Sequence, residues 1–292
     1  GGTVTGRFSM SNPNLQQIPA KGFIGKKMRE LFIPEEGCTW GSFDYSQQEP
    51  RIVVHYALKL QLPGTEELKK EFDSEDADFH QIVADMAHIP RTTAKTINLG
   101  LFYGMGRIKL QQELNLSKDE ATKLFSNYHR QVPFVKQLSQ DLITFAEDHK
   151  LLFTLEDRFC RFNRWETRDR EWNNEINRYE PVPILTLEEA QRAYKAELLE
   201  KVADDKLDPN YMDNFKYHYK PAFTYKALNR LIQGSAADMT KKAMVMLYEK
   251  GILPHIQIHD ELCVSVSNER EASIIKQTME EAIPLLVKNK VS

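Results

Sequence analysis

The stretch His255-Ile256-Gln257-Ile258-His259-Asp260-Glu261-Leu262-Cys263-Val264-Ser265-Val266 decides the fold. Apolar residues alternate with polar ones on both sides of a His-Asp-Glu triplet, which is the two-residue period of a half-buried strand. Three polar residues between such flanks do not make a solvated face. They fit a hairpin tip that pushes acids outward at a sheet edge. Asp44 raises the same question far away in the chain. It follows Trp40-Gly41-Ser42-Phe43, a short strand, and a carboxylate there is costly unless paired, hydrogen-bonded or metal-bound. Two aspartates on separate strands suit a two-metal site, since magnesium needs few protein carboxylates beside water and substrate phosphates. A helix cap, a salt-bridged Asp44 and a plain polar turn at Asp260 are the alternatives.

Outward from these strands, residues 28–34 and 39–45 read as two strands joined by a Glu-Glu-Gly turn. Helices are expected over 46–62, 78–88, 90 to about 103, 117–128, 133–148, 187–205, 224–250 and 269–288. Pro90 suits a first helical turn, and Ser117 with Glu120 forms a capping box. Residues 63–78 read as an acidic, loop-rich connection. Strands, many helices and a return to strand suggest an α+β fold with a small antiparallel sheet and an inserted helical lobe.

Composition narrows the function classes. The 292 residues carry 39 Lys and Arg against 42 Asp and Glu, a formal charge of −3, with 41% hydrophobic and 28% charged residues. This is a globular composition that excludes a disordered tail, a collagen-like fibre and a small disulfide scaffold. The length suggests two lobes. A slightly acidic chain does not grip phosphate over its whole surface, so any cation site must be local. Cys38, Cys160 and Cys263 lie far apart, suit a reducing compartment, and make neither a zinc nor a redox pattern. No apolar run approaches a membrane span, no signal peptide is visible, and the expected location is cytoplasmic. The Gly-Gly-Thr start without Met reads as a fragment or processed product. Residues 156–223 are rich in Arg, Glu, Asn and aromatics, are net acidic over 156–216, and read as a solvated insertion. Arg158, Arg161, Arg164 and Arg168 offer a local basic strip within it.

Arg91, Lys95, Leu99 and Tyr103 recur every four residues and share one helical stripe, roughly 18 Å long. Two cations, an apolar side chain and an aromatic ring match a nucleoside triphosphate laid end to end, with phosphates on the cations and the ring near a base. An amphipathic helix with solvated cations is the plainer alternative.

Six segments then bring in a family. They are Thr5-Gly6-Arg7-Phe8-Ser9, Asn12-Pro13-Asn14-Leu15-Gln16, Asp44-Tyr45-Ser46-Gln47-Gln48-Glu49-Pro50-Arg51, the 91–104 stretch with Arg91, Lys95, Leu99 and Tyr103-Gly104, Gln233-Gly234-Ser235-Ala236-Ala237-Asp238, and Gln257-Ile258-His259-Asp260-Glu261. In this order they closely resemble the motifs of family A DNA polymerases, the DNA polymerase I-like enzymes. The likeness covers most of the chain except 63–75 and 156–223.

The resemblance implies a right-hand palm at 1–78 and 226–292, with fingers at 79–225 that carry the 156–223 insertion. It implies Asp44 and Asp260 as ligands of two Mg²⁺ ions, with Mn²⁺ able to substitute, the Tyr45 carbonyl as a further ligand and Glu261 in support. Arg91 and Lys95 would bind the incoming dNTP, with Leu99, Tyr103, His80 and Gln47 near it. Glu49 would crowd a ribose 2′-hydroxyl, and Lys95 would act as acid for the departing pyrophosphate. Arg7, Asn14, Gln16, Arg51, Tyr103, Asn229, Gln233 and His259 would touch primer-template DNA, partly in the minor groove, where pair shape is checked without reading sequence.

Leu99 stands where the family usually has Phe or Tyr, Gln48 and Pro50 replace aliphatics, and Gln17 stands where Asn is common. With the long 156–223 segment, these departures point to a phage or environmental viral source. A thumb and any 3′–5′ exonuclease are expected outside this chain, and low processivity for it alone. The expected activity is template-dependent DNA synthesis. A single-subunit RNA polymerase or reverse transcriptase, and a DNA-binding module derived from a polymerase, are the competing readings.

Overall fold

The computed structural model describes residues 2–19, 22–73, 77–102, 107–169, 172–173, 178–179, 182–202 and 206–292. In chain order the elements are α1 (Gly22–Arg29), β1 (Thr39–Asp44), α2 (Gln48–Lys59), α3 (Thr65–Phe72), α4 (Phe79–Ala87), α5 (Arg91–Phe102), α6 (Arg107–Glu113), α7 (Lys118–Gln131) and α8 (Pro133–His149). Then come β2 (Leu151–Phe153), β3 (Phe159–Arg161), β4 (Trp165–Thr167), β5 (Trp172–Asn173), β6 (Arg178–Tyr179), α9 (Leu187–Leu199), α10 (Phe215–His218) and β7 (Tyr219–Pro221). The chain closes with α11 (Ala227–Glu249), β8 (Ile256–Ile258), β9 (Glu261–Val266) and α12 (Glu269–Glu281). Among the described residues no helix is long and apolar enough to cross a membrane.

The chain folds as two compact units. The first holds Gly1–Gln140, Phe153–Cys160 and Leu228–Ser292. Its sheet has the order β1-β9-β8 and is antiparallel throughout. Register sets Thr39 opposite Val266 and Asp44 opposite Glu261, while Ile258 also meets Glu261. The expected hairpin therefore forms, and His259 and Asp260 are its tip. The outer edge of β1 is covered as well. Asp44 N–H donates to the Ser292 carbonyl (3.1 Å), Ser292 N–H returns to Asp44 (2.9 Å), and Ser46 N–H donates to Lys290 (2.8 Å). A strand edge left open would invite pairing with another chain.

Helix α4 starts where Asp78 accepts from the N–H groups of His80 and Gln81, the usual work of a capping carboxylate. Helix α5 buries Ala94, Ile97, Asn98, Gly100 and Phe102, and Phe102 meets Phe79 of α4 with centroids 5.9 Å apart. The stripe of Arg91, Lys95 and Leu99 is left on the more open side. The capping box of Ser117 and Glu120 is present at α7.

The second unit holds Asp141–Leu152 and Arg161–Ala227. It contains β4 paired with β7, β5 paired with β6, and α9, which a Thr186–Glu189 capping box starts. Ala190, Tyr194, Phe215 and Tyr219 form its core, with Phe215 and Tyr219 stacked at 5.1 Å. Aromatic residues that composition shows only as a bias thus converge on one centre.

Three further expectations fail locally. Residues 28–34 are not a strand. Helix α1 carries Lys26, Lys27 and Arg29 in its last turn, which suits the negative end of the helix dipole, and Leu31 and Phe32 N–H close turns onto Met28 and Arg29. Residues 63–78 are not all loop, because Leu68 and Phe72 are buried on one face of α3. The last helix stops at Glu281 rather than reaching 288. Pro284 cannot donate to a continuing helix, and the chain beyond it becomes the strap on β1.

Candidate active site

The sheet brings its acids to one corner of the first unit. Asp44 lies at the end of β1 directly across from Glu261, and Asp260 precedes Glu261 at the tip. The Asp44 side chain reaches solvent, yet partial burial of its carboxyl pushes its pKa up to about 7, and the charges of Asp260 and Glu261 add to this while Arg29 opposes it. Burial also raises Asp260; its own backbone N–H and Arg7 counter this, and Glu49 reinforces it. Several carboxylates that repel one another while facing solvent form a site that a cation would relieve.

Glu261 is held rather than free. Its Oε1 accepts the Ser42 hydroxyl, lies 3.6 Å from the Cys263 thiol and 3.5 Å from the Arg29 guanidinium. Tyr45 is buried, and its hydroxyl donates to the Met279 carbonyl at 2.7 Å. Its N–H faces the Asp260 carbonyl at 3.5 Å, so Asp44 and Asp260 are tied through main chain. Among the described residues no group of three or more His, Cys, Asp and Glu is arranged to hold a metal. The corner instead offers two aspartates and nearby carbonyls, a hard-oxygen set that suits magnesium completed by substrate oxygens.

Beside the corner, Arg7 pairs with Glu49 at 2.5 Å, and the Glu49 side chain is only 13% exposed. Arg7, Asn14, Gln16, Gln233 and His259 line one open groove of about 530 Å³. These are five of the residues expected on DNA, drawn from three distant segments. Gln16 donates to Gln257 at 2.9 Å, and Gln257 in turn donates to the His259 carbonyl. Asn229 stands one helical turn before Gln233 on α11. Arg51 behaves otherwise. It is 2% exposed, and its guanidinium donates to the carbonyls of Ser46 (2.9 Å), Phe72 (3.4 Å) and Lys288 while lying over the Phe72 ring. The expectation that Arg51 contacts DNA is corrected: its charge is spent inside the fold.

The helix stripe has its own setting. Arg91 is 47% exposed and pairs with Asp78 at 2.6 Å. Lys95 is exposed one turn later. His80 is buried, with Nδ1 3.1 Å from the Asn98 amide. Burial pushes its pKa down, Asp78 opposes this, and Lys95 and Arg91 add to it. Gln47 spends both ends of its amide at the entrance of α4, donating to Ala77 (2.6 Å) and accepting from Phe79 (2.8 Å). Tyr103 lies outside the described residues.

The profile of DNA polymerase family A matches residues 1–292. The chain belongs to DNA polymerase family A. Over 99% of its length it is 31% identical to a DNA-directed DNA polymerase of Pseudomonas phage M6, of which the match covers 42%. It is 32% identical over 98% of its length to the thermostable DNA polymerase I of Thermus aquaticus, covering 30% of that protein. Its fold matches the POL domain of Pol1 from M. smegmatis, in complex with DNA primer-template and dNTP, with a TM-score of 0.69 and 27% identity. That match takes in 99% of this chain and 45% of the other. The chain thus spans less than half the length of these relatives.

Within this family A chain, three arginines matter that the motifs alone do not reveal. Arg158, read from sequence as part of a basic strip, donates to Asp238 (2.9 Å), the Thr5 carbonyl (3.0 Å) and the Gly234 carbonyl (2.9 Å). It ties the N-terminal arm that carries Arg7 to the helix that carries Gln233. Gly6, at φ +83°, leaves room for it, because a Cβ there would meet the guanidinium at 2.7 Å. Arg168 is likewise engaged, with Glu147 at 2.9 Å. Arg29 is the third, at the carboxylate corner.

Proposed function

We propose that this chain is the polymerising portion of a DNA-directed DNA polymerase, adding dNTPs to a primer 3′-end on a template strand. One observation carries the reading: antiparallel register sets Asp44 and the Asp260-Glu261 tip together beside a groove lined by Arg7, Asn14, Gln16, Gln233 and His259.

Asp44 and Asp260, with the Tyr45 carbonyl, would hold two Mg²⁺ ions, or Mn²⁺ in their place. When bound, such a pair lowers the pKa of an attacking hydroxyl and stabilises charge on the oxygens of an in-line displacement. The reaction joins the primer 3′-oxygen to the α-phosphorus and releases pyrophosphate. Arg91 and Lys95 supply positive charge for the triphosphate, and Lys95 is the acid that protonates pyrophosphate as it leaves. Glu49, fixed by Arg7, limits space beside the sugar, which favours deoxynucleotides over ribonucleotides. His80 and Leu99 flank the nucleotide, Gln47 sets the start of α4 against it, and Tyr103 is the residue we assign to the template base. Arg7, Asn14, Gln16, Asn229, Gln233 and His259 hold the primer-template from the groove side. Residues 1–78 and 226–292, with the β1-β9-β8 corner, serve as palm and residues 79–225 as fingers. We place a duplex-clasping thumb and an exonuclease in the length of the relatives that this chain does not span.

Primer extension tests the proposal. The chain, alone or supplied with an N-terminal thumb portion, should extend a primer with dNTPs and Mg²⁺, and Asp44→Asn should abolish extension. Extension by the Asp44→Asn variant at wild-type rate would overturn the assignment.

A further inference from the structure

Arg29 comes to the carboxylate corner from outside its strands. It is the last residue of α1, and its stem lines an apolar hollow with Phe32, Trp40 and Ile258. Its guanidinium stands 3.5 Å from Glu261 Oε1, the oxygen that also accepts the Ser42 hydroxyl. Its Nε is buried without a hydrogen-bond partner. A buried donor left unsatisfied costs stability, so the arm is placed for its charge rather than for a full set of hydrogen bonds.

Strand geometry shows what this does. Ser42 and Asp44 are two residues apart and share a face of β1. Register sets Asp44 opposite Glu261 and Ser42 opposite Cys263. Glu261 therefore turns diagonally toward Ser42 and Arg29 instead of straight across to Asp44.

We propose that Arg29 is a positioning residue, a built-in counter-cation that keeps Glu261 turned toward Ser42 and leaves Asp44 and Asp260 as the pair open to a divalent ion. The inference rests on the metal reading above. Removing Arg29 makes the corner more negative and frees Glu261 to swing toward Asp44 as an extra ligand. Divalent ions then bind more tightly but in a less productive arrangement, so affinity and turnover move in opposite directions. An arginine that served only packing would lower both.

The test is a Mn²⁺ titration of the full chain without DNA, with free Mn²⁺ followed by electron paramagnetic resonance. Arg29→Met keeps the stem over Phe32 and Trp40 and deletes the charge. It should bind Mn²⁺ about three- to tenfold more tightly than wild type, while primer extension slows. Arg29→Lys should return to near wild-type affinity, and Glu261→Gln added to Arg29→Met should cancel the gain. If Arg29→Met folds poorly, Arg29→Gln takes its place with the same expected direction. Affinity unchanged or weaker in the folded variant overturns the role of Arg29, even where Asp44→Asn weakens Mn²⁺ binding. Affinity unaffected by Asp44→Asn removes the metal reading itself, and this inference with it.

Discussion

The carboxylate corner and the open face of α5 are built on opposite plans. At the corner the acids are held by main chain and neighbours. Asp44 is paired through its main chain to Ser292, Glu261 is held by Ser42 and Arg29, and the tip is set by register. On α5, Arg91 is half exposed and Lys95 stands exposed with no ion pair among the described residues beyond the Arg91–Asp78 contact one turn away. The acids are held by main chain and by neighbouring side chains, whereas on α5 Arg91 leans on one carboxylate, Asp78, and Lys95 extends into solvent. The contrast also separates two ways of using a charged residue: Arg51 is buried to hold carbonyls together, while Lys95 is presented to solvent.

Four experiments probe this contrast, with the largest effect first and the smallest last. Asp44→Asn should reduce primer extension by at least about a thousandfold. It should leave the melting temperature equal or slightly higher, because the fold resists the charged form of Asp44; a large drop in stability would mean that this acid holds the fold together. Lys95→Ala should lower kcat/KM for dNTP roughly 30- to 100-fold, worth about 2–2.7 kcal/mol, without altering DNA affinity in a binding titration. Equal losses in both would place Lys95 on the duplex. Arg51→Met should cost about 2–4 kcal/mol in urea denaturation, since three carbonyls lose their donor. DNA affinity measured where the variant is folded should not change.

The smallest effect concerns His55, which accepts from Leu286 N–H at 3.1 Å and whose pKa burial, helped by Lys59, pushes down to about 4. The unfolded chain takes up this proton near the ordinary histidine value, about 6.5, and the folded chain resists until about 4. The stability contribution is thus complete above about pH 6.5 and is lost as pH falls toward 4. His55→Gln keeps an acceptor without the titration, and urea midpoints between pH 7 and 4.5 should fall less steeply for it than for wild type.

Much of this was legible in the chain itself, for a physical reason. Asp260-Glu261 between alternating apolar residues marks a hairpin tip because period two leaves few other places for adjacent acids. The cation stripe on α5 is readable because helix spacing is local. What escaped depends on distant partners. Residues 28–34 have enough apolar character to suggest a strand, and only the closing turns onto Met28 and Arg29 decide otherwise. Leu68 and Phe72 are hidden among acids and lysines until α2 and α4 cover them. Arg51 and Arg158 look like surface cations in sequence, and their carbonyl partners lie up to 237 residues away. Residues 282–288 continue a helical pattern in composition, yet Pro284 diverts the chain to β1.

That diversion has a mechanical side. With neighbours along both edges, the backbone carrying Asp44 behaves as an anvil, and only side-chain torsion is left for adjustment. The two-residue bend bearing Asp260, with His259 at φ +58°, rests on single contacts instead, Tyr45 N–H on the Asp260 carbonyl and the Gln257 amide on the His259 carbonyl. Compliance in the corner therefore belongs to the bend, and a stiffer residue placed there would make the corner less tolerant of displacement.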